Sequence, residues 1–187
     1  MIYQEKIFTK KECDIIIGYS HIYKNTKDHF TGNVDIIDNR LQSKNGELAY
    51  NVYVILNDGT TEWFFDKLIN WFSLQSGIKL NPIEKIQKCT LHCYNTGDKF
   101  PKHIDLSKGF KDRRYNVGIQ LNNNYEGGEY LCWDDKNNEV LLSKETGTAV
   151  MYHCRISHEI KEITKGERWS IVMPISDFEI IETKNLL

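Results

Sequence analysis

Two stretches in the first half of the chain place apolar residues at the spacing of an amphipathic helix. From about Lys10 to Lys24, apolar side chains recur every three or four residues, and Thr9 is placed to cap the N-terminus. From about Thr61 to Gln75, the apolar side chains again share one face, with Gly77 just past the end. The pattern predicts two helices that pack against a sheet.

The second half of the chain alternates short β-rich segments with turn signals. Clusters of glycine, asparagine and aspartate separate the segments, as at Thr96-Gly97-Asp98 and Gly127-Gly128. Regularly spaced short strands are typical of a sandwich or a jelly roll. The predicted strands are Ile86–Asn95, Tyr115–Asn122, Glu129–Trp133, Glu139–Leu142, Ala149–Tyr152, His158–Ile163 and Arg168–Ile175.

A polar segment, Lys24–Asn45, lies between the two predicted helices. It is long for a simple connection, and long connections often fold over a binding site. The segment is therefore a candidate lid, with an ordinary surface loop as the alternative.

Length and composition describe a globular chain without unusual features. At 187 residues, the chain has the length of one domain, here residues 1–187, and can bury a core without disulfides. A net charge of -2 gives no sign of a nucleic-acid partner. Because the sequence contains neither a membrane span nor a signal peptide, we expect a cytoplasmic protein without a membrane partner. The abundance of Lys, Asn and Ile suggests an AT-rich genome, such as that of a phage or virus acting in the host cytosol.

Cysteine usage favours reduced thiols. The five cysteines form no CxxC pair, and their number is odd, so buried thiols are the best interpretation. Cys89 and Cys93 would share one face of a strand. They could form a metal pair, but buried strand cysteines are the stronger interpretation.

Two histidines and one aspartate form a candidate metal centre. His103 and Asp105 lie two residues apart, so both side chains project to the same face of an extended segment. His158 begins a later predicted strand, which a fold with two sheets can bring opposite the first pair. Imidazole and carboxylate suit Fe(II), and three protein ligands leave three octahedral positions open. Non-heme Fe(II) oxygenases need that arrangement to hold a co-substrate and O2 together.

His153 is a second candidate for the later histidine. His158 lies ten residues before Arg168, which suits a hairpin whose two strands carry these side chains, with its turn near Thr164-Lys165-Gly166. A role for His153 would lengthen that connection by five residues and leave His158 without a function. The spacing therefore favours His158.

Arg168 opens a predicted strand that is otherwise apolar. A buried guanidinium without a partner is costly, and a carboxylate that accepts two hydrogen bonds from it would offset the cost. Ser170 shares the face of Arg168 and can donate one more hydrogen bond. The phenol of Tyr94 could donate to the same carboxylate, and Gln120 could point inward as a further polar contact. A protein glutamate as the partner of Arg168, and a simple core role for Tyr94, are the alternatives.

Five segments of the chain, taken together in their order along the sequence, resemble the Fe(II)/2-oxoglutarate-dependent dioxygenases of the prolyl 4-hydroxylase-like superfamily. The resemblance covers roughly Lys85–Ser176, and the Asp38-Asn39-Arg40 segment and the upstream helices match less specifically. The matching pieces are Tyr94 through Asp105, Gln120-Leu121-Asn122, Tyr125 through Glu129, Gly147 through Val150, and His158 through Ser170.

The resemblance implies a mostly β fold with supporting helices. The expected core is a double-stranded β-helix, or jelly roll, over about residues 85–176, with helical support from about 1–84 packed on one sheet. The resemblance also implies Fe(II) held by His103, Asp105 and His158, and 2-oxoglutarate bound by Arg168 with help from Tyr94. O2 would be the second co-substrate, with ascorbate as an optional reductant.

The retained carboxylate of Asp105 favours hydroxylation, because family members that halogenate lack it. The substrate that the resemblance best supports is a prolyl residue in a protein or peptide. A free amino acid or small metabolite is the first alternative, and a cupin-like binding module without turnover is an alternative of another class. The intact set of His103, Asp105, His158 and Arg168 favours an enzyme.

Overall fold

A computed structural model of the protein describes residues 2–23, 34–37, 40–43, 50–80, 88–105, 112–176 and 180–182. Over these residues the chain forms the helices α1 (Lys10–Gly18) and α2 (Glu62–Ser76) and a short 3-10 helix (Tyr19–His21). The strands are β1 (Ile2–Lys6), β2 (Val34–Ile37), β3 (Arg40–Ser43), β4 (Tyr50–Leu56), β5 (Lys79–Leu80), β6 (Lys88–Asn95), β7 (Phe100–His103), β8 (Arg113–Gln120), β9 (Glu126–Gly127), β10 (Tyr130–Trp133), β11 (Glu139–Leu141), β12 (Thr148–His153), β13 (Ser157–Ile160), β14 (Ile163–Lys165), β15 (Glu167–Ser176) and β16 (Ile180–Glu182).

Two antiparallel sheets face each other and form the predicted jelly roll. In the described part of the chain, the large sheet has eight strands in the order β1-β12-β8-β15-β6-β4-β3-β2, and the small sheet has four in the order β11-β10-β13-β7. The β14-β9 and β16-β5 pairs stand apart from both. Strand β15 is central, because it pairs with β8 on one side and β6 on the other. The predicted fold class is therefore confirmed.

Side chains of the large sheet alternate between a helix-covered face and an inner face, because successive strand residues point to opposite sides. On β15, Ile171, Met173 and Ile175 join the main apolar core, whereas Arg168 and Ser170 face the space between the sheets. Strands β6, β8 and β12 alternate in the same way. Core and cavity thus share the same strands.

The two helices cover the outer face of the large sheet, as predicted. Helix α2 buries four large apolar side chains against it: Phe64, Phe65, Leu68 and Phe72. Helix α1 adds Cys13 and Ile16 to the same core. All five cysteines are buried thiols.

The ends of the helices follow local signals. The side chain of Thr9 accepts a hydrogen bond from the backbone N–H of Glu12, and the Glu12 carboxylate accepts one from the backbone N–H of Thr9, which forms a capping box. Helix α1 ends at Gly18, earlier than predicted, and the chain continues as the 3-10 helix. Helix α2 ends at Gly77, whose φ of 69° suits a residue without Cβ.

The first half of the chain contains more strand than the sequence predicted. Strand β1 pairs with β12, and β4 pairs with β6, so the N-terminal part completes both edges of the large sheet. The segment 24–45, predicted as a loop, contains β2 and β3, and its other residues lie outside the described part of the chain. The organisation of residues 1–187 as one domain stays a prediction. None of the helices in the described ranges is long and apolar enough to cross a membrane.

Candidate functional site

A cavity of about 500 Å³ lies between the two sheets. The inner faces of β4, β6, β8, β12 and β15 line it from the large sheet, and residues of β7, β10 and β13 line it from the small one. The predicted site residues His103, Asp105, His158, Tyr94, Gln120, Arg168 and Ser170 all line this cavity.

Strand pairing brings the two predicted histidine ligands together. His103 on β7 is the direct cross-strand neighbour of His158 on β13, and their ring centroids are 4.2 Å apart. Asp105 follows β7, with its Oδ1 3.3 Å from His103 Nε2 and its Oδ2 3.7 Å from His158 Nε2. One ligand atom from each residue lies within 4.8 Å of the other two, so the group can hold one metal ion. The group contains no cysteine, so it gives no support to a metal site formed by Cys89 and Cys93.

Backbone carbonyls set the tautomer of both histidines. Nδ1 of His103 lies 2.8 Å from the carbonyl oxygen of Pro101, and Nδ1 of His158 lies 3.1 Å from that of Ile156. A carbonyl oxygen can only accept, so each Nδ1 carries the hydrogen. Each Nε2 lone pair therefore points toward Asp105 and is available to a metal ion, as is usual for metal-binding histidines.

The charges of the group also suit metal binding, which needs neutral imidazole and ionised carboxylate. Burial lowers the pKa of His158 to about 4, so its ring is neutral at pH 7. Burial acts to raise the pKa of Asp105. However, its contacts with His103 and His158 and the charge of Arg113 outweigh burial and lower the pKa of Asp105 well below the usual range. The aspartate is therefore ionised.

Arg168 is a buried cation on the inner face of β15. Its side chain is 2% exposed, and one terminal nitrogen donates to Ser170 Oγ at 3.0 Å. Its Nε finds no hydrogen-bond partner among the described residues. Among the described residues, no carboxylate forms an ion pair with Arg168. A protein glutamate is thus not its partner within the described chain.

The other predicted polar residues, Tyr94 and Gln120, line the same cavity as Arg168. Cζ of Arg168 lies 5.6 Å from the ring centroid of Tyr94, which stacks on Tyr50 at 4.5 Å. The amide nitrogen of Gln120 donates to Tyr125 Oη at 2.9 Å and to the carbonyl of Asn122 at 2.6 Å. With both N–H groups engaged, Gln120 offers a ligand only its amide oxygen.

The predicted hairpin between His158 and Arg168 is wrong. His158 lies on β13 of the small sheet and Arg168 on β15 of the large sheet, and the intervening β14 pairs with β9. The two side chains therefore line the cavity from different sheets. His153 stays outside the metal group, and its Nδ1 accepts from the backbone N–H of Arg155 at 3.1 Å. The choice of His158 over His153 therefore agrees with the geometry, although the reason given for it fails.

The sequence interpretation missed three polar neighbours of the metal group. Nδ2 of Asn116 donates a short hydrogen bond to Asp105 Oδ2 and lies 3.4 Å from Tyr152 Oη. The Tyr152 hydroxyl forms a short hydrogen bond with that of Tyr130. The position of Asn116, four residues before Gln120 on one strand face, was the available signal.

The family comparison agrees with this geometry. Residues 89–175 match the family model described as the 2OG-Fe(II) oxygenase superfamily. A PKHD-type hydroxylase of Prochlorococcus marinus is 28% identical over 110 residues, which cover 57% of this chain and 46% of that relative. The match thus spans about half the length of the curated relative.

Solved structures share the fold. An oxidoreductase of the 2OG-Fe(II) oxygenase family from Burkholderia pseudomallei superposes with a TM-score of 0.69 at 14% identity, covering 96% of this chain and 86% of that one. A prolyl hydroxylase from Trichoplax adhaerens, in complex with a peptide fragment of the hypoxia inducible factor oxygen degradation domain, gives a TM-score of 0.65 at 16% identity, covering 95% and 83%.

The 2OG-Fe(II) oxygenase superfamily, whose model matches residues 89–175, is thus the family to which this chain is similar. This family implies Fe(II), 2-oxoglutarate and O2. The residues present fit the first two, since a His-Asp-His donor set for the metal lies in the same cavity as the buried guanidinium of Arg168, which suits a carboxylate.

Proposed function

We propose that the protein is a 2-oxoglutarate- and O2-dependent hydroxylase that acts on a prolyl residue in a protein or peptide. The observation that carries the proposal is the pairing, in one cavity, of the His103-Asp105-His158 group with the buried cation of Arg168. A metal ion would bind to the His103-Asp105-His158 group, and a carboxylate of a dicarboxylate would pair with the cation of Arg168.

Each residue has a defined task in this proposal. His103 and His158 offer Nε2 lone pairs, and Asp105 contributes the negative charge. Arg168 would donate to the distal carboxylate of 2-oxoglutarate through its unsatisfied Nε and a terminal nitrogen, while Ser170 fixes the guanidinium and Tyr94 can add a phenol donor. The rings of Tyr94 and Tyr130 lie beside the guanidinium, and such low-polarity surroundings strengthen charge contacts.

The bound metal and co-substrates would supply the oxidising chemistry: one atom of O2 enters a substrate C–H bond, and the other enters succinate as 2-oxoglutarate loses CO2. The protein supplies orientation and a dry pocket. Ascorbate would serve to keep the iron reduced between turnovers.

A peptide substrate is favoured by one solved structure. The Trichoplax adhaerens structure is described as a prolyl hydroxylase in complex with a peptide fragment, whereas the name of the curated relative, a PKHD-type hydroxylase, supports hydroxylation without giving a substrate. A free amino acid or small metabolite is the competing substrate class, since the cavity of about 500 Å³ has room for a small molecule beside the co-substrate.

Mass spectrometry of reaction mixtures tests the proposal. Purified protein with Fe(II), 2-oxoglutarate and ascorbate under 18O2 is offered proline-containing peptides and, separately, free amino acids. We expect a peptide to gain one labelled oxygen on proline, with equimolar succinate, and the Asp105→Ala variant to give neither. Labelling of free amino acids alone would establish the competing substrate class. An iron-loaded protein that forms no succinate with any substrate would favour a binding module.

A further inference from the structure

Asn116 is a buried polar residue that connects the metal group to the large sheet. It lies on β8, is 2% exposed, faces the cavity, and is the cross-strand neighbour of Tyr152 on β12. We propose that Asn116 is a positioning residue that holds Asp105 as a metal ligand through one oxygen only. The inference rests on the proposed function, because it concerns the same metal centre.

The two oxygens of Asp105 have different surroundings. Oδ2 accepts the hydrogen bond from Asn116 Nδ2 and lies 3.7 Å from His158 Nε2, while Oδ1 has no hydrogen bond with Asn116 and lies nearer to a histidine, 3.3 Å from His103 Nε2. A carboxylate can bind a metal ion through one oxygen or through both. The donor on Oδ2 draws that oxygen toward the large sheet and leaves Oδ1 for the metal, since ligating carboxylates are commonly fixed by such outer hydrogen bonds.

One-oxygen binding matters for the chemistry. Three single-atom ligands leave three octahedral positions, which is the number needed for a two-atom chelator and O2. A second oxygen from Asp105 would occupy one of them. Asn116 would thus preserve the capacity of the metal for its co-substrates, in addition to stabilising the metal itself.

Asn116 does not act alone. Its Nδ2 lies 3.4 Å from Tyr152 Oη, and the Tyr152 hydroxyl bonds to that of Tyr130 on β10 of the small sheet. Both phenol rings lie against His158, with centroids at 5.0 and 6.0 Å. The network therefore ties Asp105, which follows the edge strand β7, to strands of both sheets.

The amide oxygen of Asn116 distinguishes this role from a structural one. Asn116 Oδ1 is buried, and no residue in the described part of the chain hydrogen-bonds to it. A buried acceptor without a partner destabilises the fold, so a leucine of similar size should leave the metal-free fold at least as stable. The Asn116 side chain is thus better explained by its contact with Asp105 than by folding.

The test compares Asn116→Leu with the control Thr90→Val, which changes a cavity residue that does not contact the metal group. Mn(II) binding to metal-free protein is measured by calorimetry, because Mn(II) does not oxidise during the titration. We expect Asn116→Leu to weaken Mn(II) binding by ~10–100-fold, the usual effect of losing an outer hydrogen-bond partner. Its urea midpoint without metal should be unchanged or higher, and Thr90→Val should bind as the wild type does.

A spectroscopic measurement reports the coordination itself. With Co(II) bound, the visible absorption depends on coordination number and geometry, so Asn116→Leu should change the band shape and intensity while Thr90→Val should not. Asn116→Ala provides a second, smaller variant if leucine is not tolerated. The proposal is wrong if both properties match the wild type, or if both Asn116 variants unfold. A wild-type protein that binds no Mn(II) would instead overturn the metal centre.

Discussion

Replacing Arg168 by methionine tests the assignment of the co-substrate anchor most directly. Methionine fills a similar volume but removes the charge and every N–H donor. Within the described ranges, a terminal nitrogen of the guanidinium donates to Ser170 and its Nε has no partner, and the residue is 2% exposed. Because replacing a buried charge by an apolar side chain is often neutral or stabilising, we expect Arg168→Met to keep or raise the stability of the ligand-free protein.

Binding of 2-oxoglutarate should respond in the opposite direction. Removing one partner of a buried charge pair costs ~2–5 kcal/mol. At ~1.4 kcal/mol for each factor of ten, this weakens binding roughly 30-fold to several thousand-fold. Arg168→Lys should recover only part of the loss, because lysine keeps the charge but loses the planar fork of donors.

The assay is a calorimetric titration of 2-oxoglutarate into Mn(II)-loaded protein, which binds without turnover. Arg155→Ala, at an exposed position, is the matched control and should bind as the wild type does. Mn(II) affinity should change little in Arg168→Met. An unchanged dissociation constant for 2-oxoglutarate, together with a lower urea midpoint, would return Arg168 to a structural role.

Three further predictions follow from the site and its supports. His103→Ala should weaken metal binding by at least ~10–100-fold, and so should His158→Ala. His153→Ala should retain iron and succinate formation. If His153→Ala instead lost iron and His158→Ala kept it, the roles of these two histidines would be exchanged. Burial, aided by the charge of Arg168, lowers the pKa of His92 to about 3 from an ordinary 6.5. Between these two pKa values, only the unfolded state binds a proton at His92. The free energy of unfolding of the metal-free protein should therefore fall by up to ~1.4 kcal/mol per pH unit as the pH drops from 6.5 toward 3. His92→Leu should flatten this slope between pH 7 and 5 in urea titrations, and an identical slope would contradict the buried neutral state. Gly147→Ala should destabilise the fold by at least ~1–3 kcal/mol, because φ is 88° and the added Cβ would meet the Phe8 carbonyl oxygen at 1.9 Å; a urea midpoint within error of the wild type would disprove the predicted clash.

Local signals in the sequence predicted much of the fold. The N-cap at Thr9, the apolar face of α2 and the terminating Gly77 depend on residues close in sequence, and each is present in the structure. The residues that predicted the strand Arg168–Ile175 are also consecutive in sequence, and β15 forms there. Strands β2 and β3 escaped prediction because polar neighbours obscure their few apolar residues, and a strand at the edge of a sheet needs little apolar surface.

The arrangement of the site could be predicted only in part. Spacing alone placed His103 and Asp105 on one face, but the pairing of His103 with His158 depends on the register between β7 and β13, which lie far apart in sequence. The hairpin interpretation failed because neighbouring strands of this fold can belong to different sheets. The contact between Asn116 and Asp105 likewise arises only after β8 and the segment following β7 have been brought together by folding.

The alternation along the large sheet has a consequence for how proteins with this architecture can diverge. Cavity-facing positions such as Thr90, His92 and Val172 are separated by single residues from positions that pack against the helices. A substitution at the first kind changes what the cavity accepts, while the packing that supplies most of the stability stays intact. New substrate preferences can therefore accumulate one residue at a time without passing through unfolded variants. A single-residue insertion within one of these strands would exchange the two sets of positions, and both stability and selectivity would be lost together.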